Sequence, residues 1–281
     1  MNTSLDRVQI VWAESQQLTH YLHALPPAAW YGPSACERWQ VGDVVVHLAA
    51  CAEVYTDAIC RGLQGDIATL PGFPPTGVDM ATAAKRFTQL VIARRQRLGD
   101  QVLATFTSAN ERLHHLLSGL GPQEWDLPCY HRYHPNRIRP VRSFVDLWMR
   151  ELAMHGWDIR SRLEPSAHLS AESVSIFMET MPRTLCGRAL PDARLSGPVR
   201  ARFVLTGIAA SSMDLVADNA TARLEVAGEP PVHLRLCCDT ETFVLLLYGR
   251  LRLETAIARG RVVGEGDPEL VAILDQWFTG V

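Results

Sequence analysis

Asp43-Val44-Val45-Val46-His47-Leu48-Ala49-Ala50 sets a single imidazole in the middle of an otherwise apolar run. The run lies in a helix predicted from about Val41 to Leu63, with Asp43 in its first turn, where the helix dipole favours an anion. About a hundred residues later, a helix predicted from about Val141 to Leu163 carries Arg150-Glu151-Leu152-Ala153-Met154-His155-Gly156-Trp157-Asp158-Ile159. Glu151 and His155 are four positions apart, so their side chains sit one above the other on one helix face. A carboxylate and an imidazole on one helix, joined by His47 from a facing helix, form a three-ligand set of the kind that inward-facing side chains build in metal-carrying bundles. Three protein ligands leave an open position, the mark of a catalytic rather than a structural zinc. Two His and one carboxylate also suit non-haem iron, nickel or manganese. The same residues admit another account, with Glu151 pairing with Arg150 or Arg160 and both histidines hydrogen-bonded in a core. Spacing alone leaves these open.

Outward from these helices, the first 190 residues or so read as helical. Leu5, Val8, Ile10, Val11, Leu18, Leu22 and Leu25 give the first helix its apolar face, and Pro26-Pro27 stops it. Trp30 to Gln40 reads as a loop, as does the Gly- and Pro-rich segment Gln64 to Thr76. A long helical pattern follows from about Ala81 to Leu120, with a break near Gly99. Trp125 to Pro140 reads as a polar, basic loop in which His131 and His134 are solvated. From Val199 the period changes to alternation: Val199, Ala201, Phe203 and Leu205, then Leu224 and Val226, then Val232, Leu234 and Leu236. Helical patterns return over Thr240 to Tyr248, Glu254 to Ala258 and Pro268 to Phe278. The boundary is placed where Pro191, Gly197 and Pro198 cluster, giving a helical domain over 1–192 and an α+β domain over 195–281.

The composition narrows the function classes. With 27 Lys and Arg against 30 Asp and Glu and no basic stripe, nucleic acid is not an expected partner. No apolar stretch is long enough to span a membrane, and the N-terminus reads as neither a signal nor a transit peptide. Seven cysteines, odd in number and irregularly spaced, suit reduced, mostly buried thiols and a cytoplasmic setting. Cys36 and Cys51 near the second helix read as such thiols.

The segment Trp39-Gln40-Val41-Gly42-Asp43-Val44-Val45-Val46-His47-Leu48 resembles the second-helix signature of the DinB/YfiT-like metalloenzyme superfamily, in its mycothiol-dependent maleylpyruvate isomerase branch. Glu151-Leu152-Ala153-Met154-His155-Gly156-Trp157-Asp158 resembles that family's fourth-helix signature, Glu-x-x-x-His-x-x-Asp. The resemblance implies an N-terminal four-helix bundle in which His47, Glu151 and His155 are metal ligands, with zinc as the favoured ion. Val199 to Leu205, Thr242 to Arg250, Ala258 to Val262 and Gly266-Asp267-Pro268 look like the sterol-carrier-like α+β domain that often follows. It further implies mycothiol as cosubstrate, and Arg250, at the end of the long C-terminal helix, as a catalytic anion binder. A surface arginine at a helix C-terminus is the alternative for Arg250.

The segments from Gln64 to Met80 and from Cys129 to Arg142 depart from the simple isomerase pattern. Arg137, Arg139 and Arg142 are therefore read as holding an anionic cosubstrate or substrate. The resulting expectation is a zinc-dependent, mycothiol-using S-transferase acting on a small electrophilic metabolite. The alternatives are a cis–trans isomerase of the maleylpyruvate type and a non-enzymatic protein that binds a hydrophobic metabolite around a structural metal. A monomer or homodimer is expected.

Overall fold

The structure, a computed structural model, describes residues 4–69, 80–131, 138–185, 197–217 and 222–277. It divides into two compact units, Met1–Ala167 and His168–Val281.

The first unit is built from helices α1 (Ser4–Ala24), α2 (Val41–Leu63), α3 (Met80–Leu98), α4 (Val102–Ser118) and α5 (Arg142–Arg160). Helix α2 packs on both α4 and α5, and α1 packs on the same two helices. Val44, Val45, Val46 and Leu48 are fully buried, so α2 has no solvent face over these turns, as an all-round apolar helix requires. Phe106, Leu113 and Leu117 from α4 and Phe144, Trp148 and Met149 from α5 fill the space beside it. One buried polar residue is fully used: Asn110 of α4 accepts from the Trp148 indole at 3.2 Å and bonds the Ser15 hydroxyl of α1.

Helix α3 is tied to α2 by a two-pronged bridge from Arg94 to Glu53, both contacts at 2.7 Å. The predicted break near Gly99 is real: Gly99 takes a φ of +52° between α3 and α4, a conformation that glycine adopts without steric cost.

The stretch read as an irregular basic loop contains an antiparallel pair, β1 (Pro128–Tyr130) with β2 (Ile138–Pro140). Three-residue strands are too short to show alternation, so the sequence gives no sign of them. This pair presses on the last turn of α2. A Cβ at Gly62 would lie 2.8 Å from the Pro128 carbonyl oxygen and would collide with the Cys129 sulfur. Gly62→Ala is therefore expected to cost about 1–3 kcal/mol, the range for overpacking a filled site. Urea denaturation measures it, and an unchanged midpoint would show that the strand pair is not held against α2.

The second unit holds α6 (Ala171–Leu185), β3 (Val199–Thr206), β4 (Ser211–Ala217), β5 (Ala222–Val226), β6 (Leu234–Asp239), α7 (Thr240–Leu247), α8 (Leu253–Ala258), β7 (Val262–Gly266) and α9 (Pro268–Trp277). The sheet order is β5-β4-β3-β6-β7, antiparallel except for the parallel β3–β6 pair. Phe203 of β3 meets Phe243 of α7 with ring centroids 4.8 Å apart. On the opposite face Asp214, fully buried, accepts from Arg202 at 2.7 and 2.9 Å and from Arg200 at 2.9 Å. Those arginines, led by Arg202, hold its carboxyl below the usual range.

Helix α6 packs on β5 and α7, within the second unit. The units therefore divide between Ala167 and His168, upstream of the 192/195 boundary expected from the sequence. The change of period at Val199 marks where strands begin, and a helix has the same period whichever core it joins. Strands β4 and β7, which the alternation pattern did not single out, complete the sheet.

Candidate metal centre

His47 and Glu151 come from α2 and α5, which pack side by side, and His155 stands one turn along α5 from Glu151. Glu151 Oε2 is 3.0 Å from His47 Nε2 and 3.5 Å from His155 Nε2. The two imidazole rings meet edge to face at 4.6 Å, with both Nε2 atoms turned to one carboxylate. Trp39, just before α2, lies 5.0 Å from His47 and 6.3 Å from His155, and Phe87 of α3 lies 5.5 Å from His47. Gln40 starts α2 by donating its backbone N–H to Asp43 Oδ2 at 2.9 Å, so Asp43 serves as a helix cap.

The far side of His155 is equally specific. Its Nδ1 is 2.8 Å from Oδ2 of Asp158, a completely buried carboxylate, and the Cys36 thiol donates to the same oxygen at 3.1 Å. This arrangement fixes the ring and turns Nε2 toward Glu151, as outer-sphere carboxylates do for metal-ligating histidines. Asp158 falls three residues after His155, and that spacing was the available signal. Cys36 arrives from a loop distant in sequence and had none.

The cluster has a definite charge pattern. Burial lowers the His47 pKa, partly offset by its bond to Glu151, so His47 is neutral near pH 7. Burial works against the charges of Glu151 and His155, and in both cases the neighbours win. His47, His155 and Arg150 hold Glu151 down to about 2. Asp158 and Cys36 hold the imidazolium of His155 up to about 10. The other Glu151 oxygen accepts from the Tyr55 hydroxyl at 3.4 Å, and burial beside Glu151 keeps that phenol protonated. A carboxylate between two imidazole Nε2 atoms, with an orienting acid behind one of them, is a donor set that fits a divalent cation.

The basic residues expected beside this cluster separate. Arg139, on β2, is partly buried within electrostatic range of Arg150 and Tyr55, and its Nε has no hydrogen-bond partner among the described residues. Burial, then repulsion from Arg150, lowers its pKa. Arg142 instead pairs with Asp126 at the surface, where both side chains are more than half exposed. Arg137 and His134 lie outside the described residues. His131 is buried rather than solvated, stacked on Tyr55 at 6.1 Å and edge-on to Phe144 at 5.6 Å. Arg250 belongs to the second unit. Its N–H bonds the Leu245 carbonyl at 2.8 Å beyond Gly249, whose φ is +67°, and its guanidinium donates to the Tyr248 carbonyl at 2.9 Å. It thus forms part of the closure of α7.

A helical unit with a His, Glu, His cluster between two facing helices, followed by an α+β unit, defines the class. The mycothiol maleylpyruvate isomerase N-terminal domain model matches residues 11–160, more than half of the chain, and the chain belongs to that family. The crystal structure of the mycothiol-dependent maleylpyruvate isomerase has a similar fold, with a TM-score of 0.64 and 13% identity over 94% of this chain and 93% of that one. A histidine-to-alanine mutant of it matches with the same TM-score and coverage at 12% identity. UbiJ-SCP2, a ubiquinone synthesis protein, covers 37% of this chain and 92% of its own at 20% identity, with a TM-score of 0.29, too low to carry an argument. No curated protein matches this chain. No helix among the described residues is long and apolar enough to cross a membrane.

Proposed function

We propose that this chain is a mycothiol-dependent isomerase of a small, unsaturated, anionic metabolite, working at a divalent ion held by His47, Glu151 and His155. The observation that carries this reading is the convergence of both imidazole Nε2 atoms on Glu151 Oε2 from two facing helices. Family membership supports the thiol and the reaction class, and the pairwise packing of α1, α2, α4 and α5 supports a DinB-like four-helix bundle. A bound divalent ion, zinc by the character of its donors, supplies the positive charge that keeps a thiol deprotonated near neutral pH.

The chain's own residues do the rest. Asp158 orients His155, and Tyr55 holds Glu151 in place through its second oxygen. Arg139, beside Arg150, presents cationic charge to a substrate carboxylate. In the reaction, the cosubstrate sulfur bonds to one alkene carbon and the π pair moves onto the conjugated carbonyl oxygen. Rotation about the new single bond follows. The pair then returns, the carbon–sulfur bond breaks and the thiolate leaves unchanged.

An S-transferase begins with the same attack and keeps the sulfur on the product. The length and proline content of the segment from Gln64 to Met80 favour that second reading. Proton NMR of protein, mycothiol and maleylpyruvate separates the two. Isomerisation leaves mycothiol undiminished, whereas transfer consumes one equivalent per product. With neither outcome at any mycothiol concentration, the proposed function is wrong. Arg139→Gln is expected to raise KM about ten- to a hundredfold with a smaller change in kcat, since a charge-assisted hydrogen bond is worth about 1.5–3 kcal/mol. An unchanged KM would remove Arg139 from substrate binding.

A further inference from the structure

Helix α3 differs from its neighbours in how it is held. Among its described side chains Val91 alone is buried, and Leu90 beside it is 68% exposed. Yet α3 carries Phe87 to the His47, Glu151 and His155 cluster, edge-on to the His47 ring at 5.5 Å and 6.0 Å from Trp39. We propose that α3 is a hinged cover over this cluster, which lifts Phe87 away to admit cosubstrate and substrate. This rests on the reading of the cluster as the reaction centre.

A helix docked by apolar burial resists leaving in proportion to the area it covers, and α3 covers little. Its hold is polar and comes from two adjacent residues, Arg94 and Arg95. Arg94 grips Glu53 of α2 with both prongs at 2.7 Å. Arg95 reaches the start of α2, where it bonds the Gln40 side chain, donates to the Trp30 carbonyl at 3.2 Å and stands 3.7 Å from Asp43. Its guanidinium also lies 4.8 Å from the centre of the Tyr31 ring. Gly42 makes room for it, because a Cβ there would lie 2.5 Å from Arg95 Nε. Charged contacts of this kind exchange for water at small net cost, so they latch a helix without fixing it. An element with few buried apolar contacts opens at a free energy well below that of global unfolding.

Gly99 supplies the pivot. It joins α3 to α4 at a φ of +52°, and a Cβ there would meet nothing within 4 Å, so the chain turns at this point against no packed neighbour. Phe87 stands twelve residues before Gly99, about 18 Å along the helix, so a swing of about 15° moves it about 5 Å. Trp39, by contrast, is fixed to the frame. Its backbone N–H donates to the Cys36 carbonyl at 2.8 Å, and its carbonyl accepts from the Ser34 hydroxyl at 2.7 Å. Opening therefore parts Phe87 from His47 and Trp39 and leaves the geometry of the cluster in place.

Hydrogen exchange of the full chain, read by mass spectrometry over residues 85–98, tests the cover. These amides are expected to exchange faster than those of α2, α4 and α5. Glu53→Gln releases the two-pronged bridge and should speed exchange in α3 alone by about five- to thirtyfold, as suits a charge-assisted pair that is partly exposed. Access to the centre is read in metal-free protein from acylation of His47 by diethyl pyrocarbonate, which should rise with it. The proposal is overturned by α3 amides as slow as those of α2, or by an α3 that Glu53→Gln leaves unchanged. Equal acceleration of all five helices, or faster α3 exchange with unchanged His47 acylation, overturns it too. Both readouts work without metal, so a protein that takes up no divalent ion refutes the metal reading and leaves the cover standing.

Discussion

His47→Ala is expected to lower metal affinity by roughly a hundred- to a thousandfold, and thiol-dependent turnover with it, while the helical unit stays folded. Four-ligand zinc sites bind with about 10–16 kcal/mol, so one ligand accounts for about 3 kcal/mol, and 1.4 kcal/mol is a factor of ten. His47 is a cleaner probe than His155. Removing the His47 ring leaves Glu151 with His155 and Tyr55 as partners. Removing His155 would strip its imidazole partner from Asp158, which has no exposure to water, and stranding a buried charge is itself strongly destabilising. Metal content after dialysis, with circular dichroism for the fold, reads the result. Full metal retention in folded His47→Ala would remove His47 from the ligand set.

The second large effect is on pH. A metal ligand must give up its proton, and His155 keeps one on Nε2 until pH rises to about 10, because Asp158 and Cys36 favour the imidazolium. A raised pKa makes the proton a competitor over the whole range below it. Apparent metal affinity should therefore rise about tenfold per pH unit from about pH 7 to 9, where an ordinary histidine of pKa about 6.5 would already have reached its plateau. Asp158→Asn removes the main cause of the shift, so its slope over the same range should fall toward zero. Its limiting affinity should also drop about ten- to a hundredfold, because the ring loses its orienting carboxylate. Competition titrations against a chelator of known affinity give both slopes. Equal slopes in the two proteins would show that Asp158 does not govern the protonation of His155.

Parts of this protein are legible without coordinates. The apolar run around His47 and the four-residue step from Glu151 to His155 are local patterns, and helical geometry translates them into faces directly. The alternation from Val199 to Leu205 announces a strand in the same way, and the Gly99 break is written in one residue. Local patterns do not say which elements meet, however. That His47 stands level with Glu151 depends on how α2 and α5 pack. The burial of His131 and the surface pairing of Arg142 with Asp126 depend on a strand pair too short to leave a periodic trace. The partners of His155 divide along the same line. Asp158 follows it by three residues on one helix and was within reach of sequence reasoning. Cys36 comes from more than a hundred residues away and is brought to the ring by packing alone. The sequence by itself determined most of the helices and the strand from Val199 to Leu205, because each is a matter of spacing along one chain segment, and it offered His47, Glu151 and His155 as candidate donors. The tertiary structure alone decided how those side chains converge and which groups set their protons, because these are distances between segments that only packing brings together.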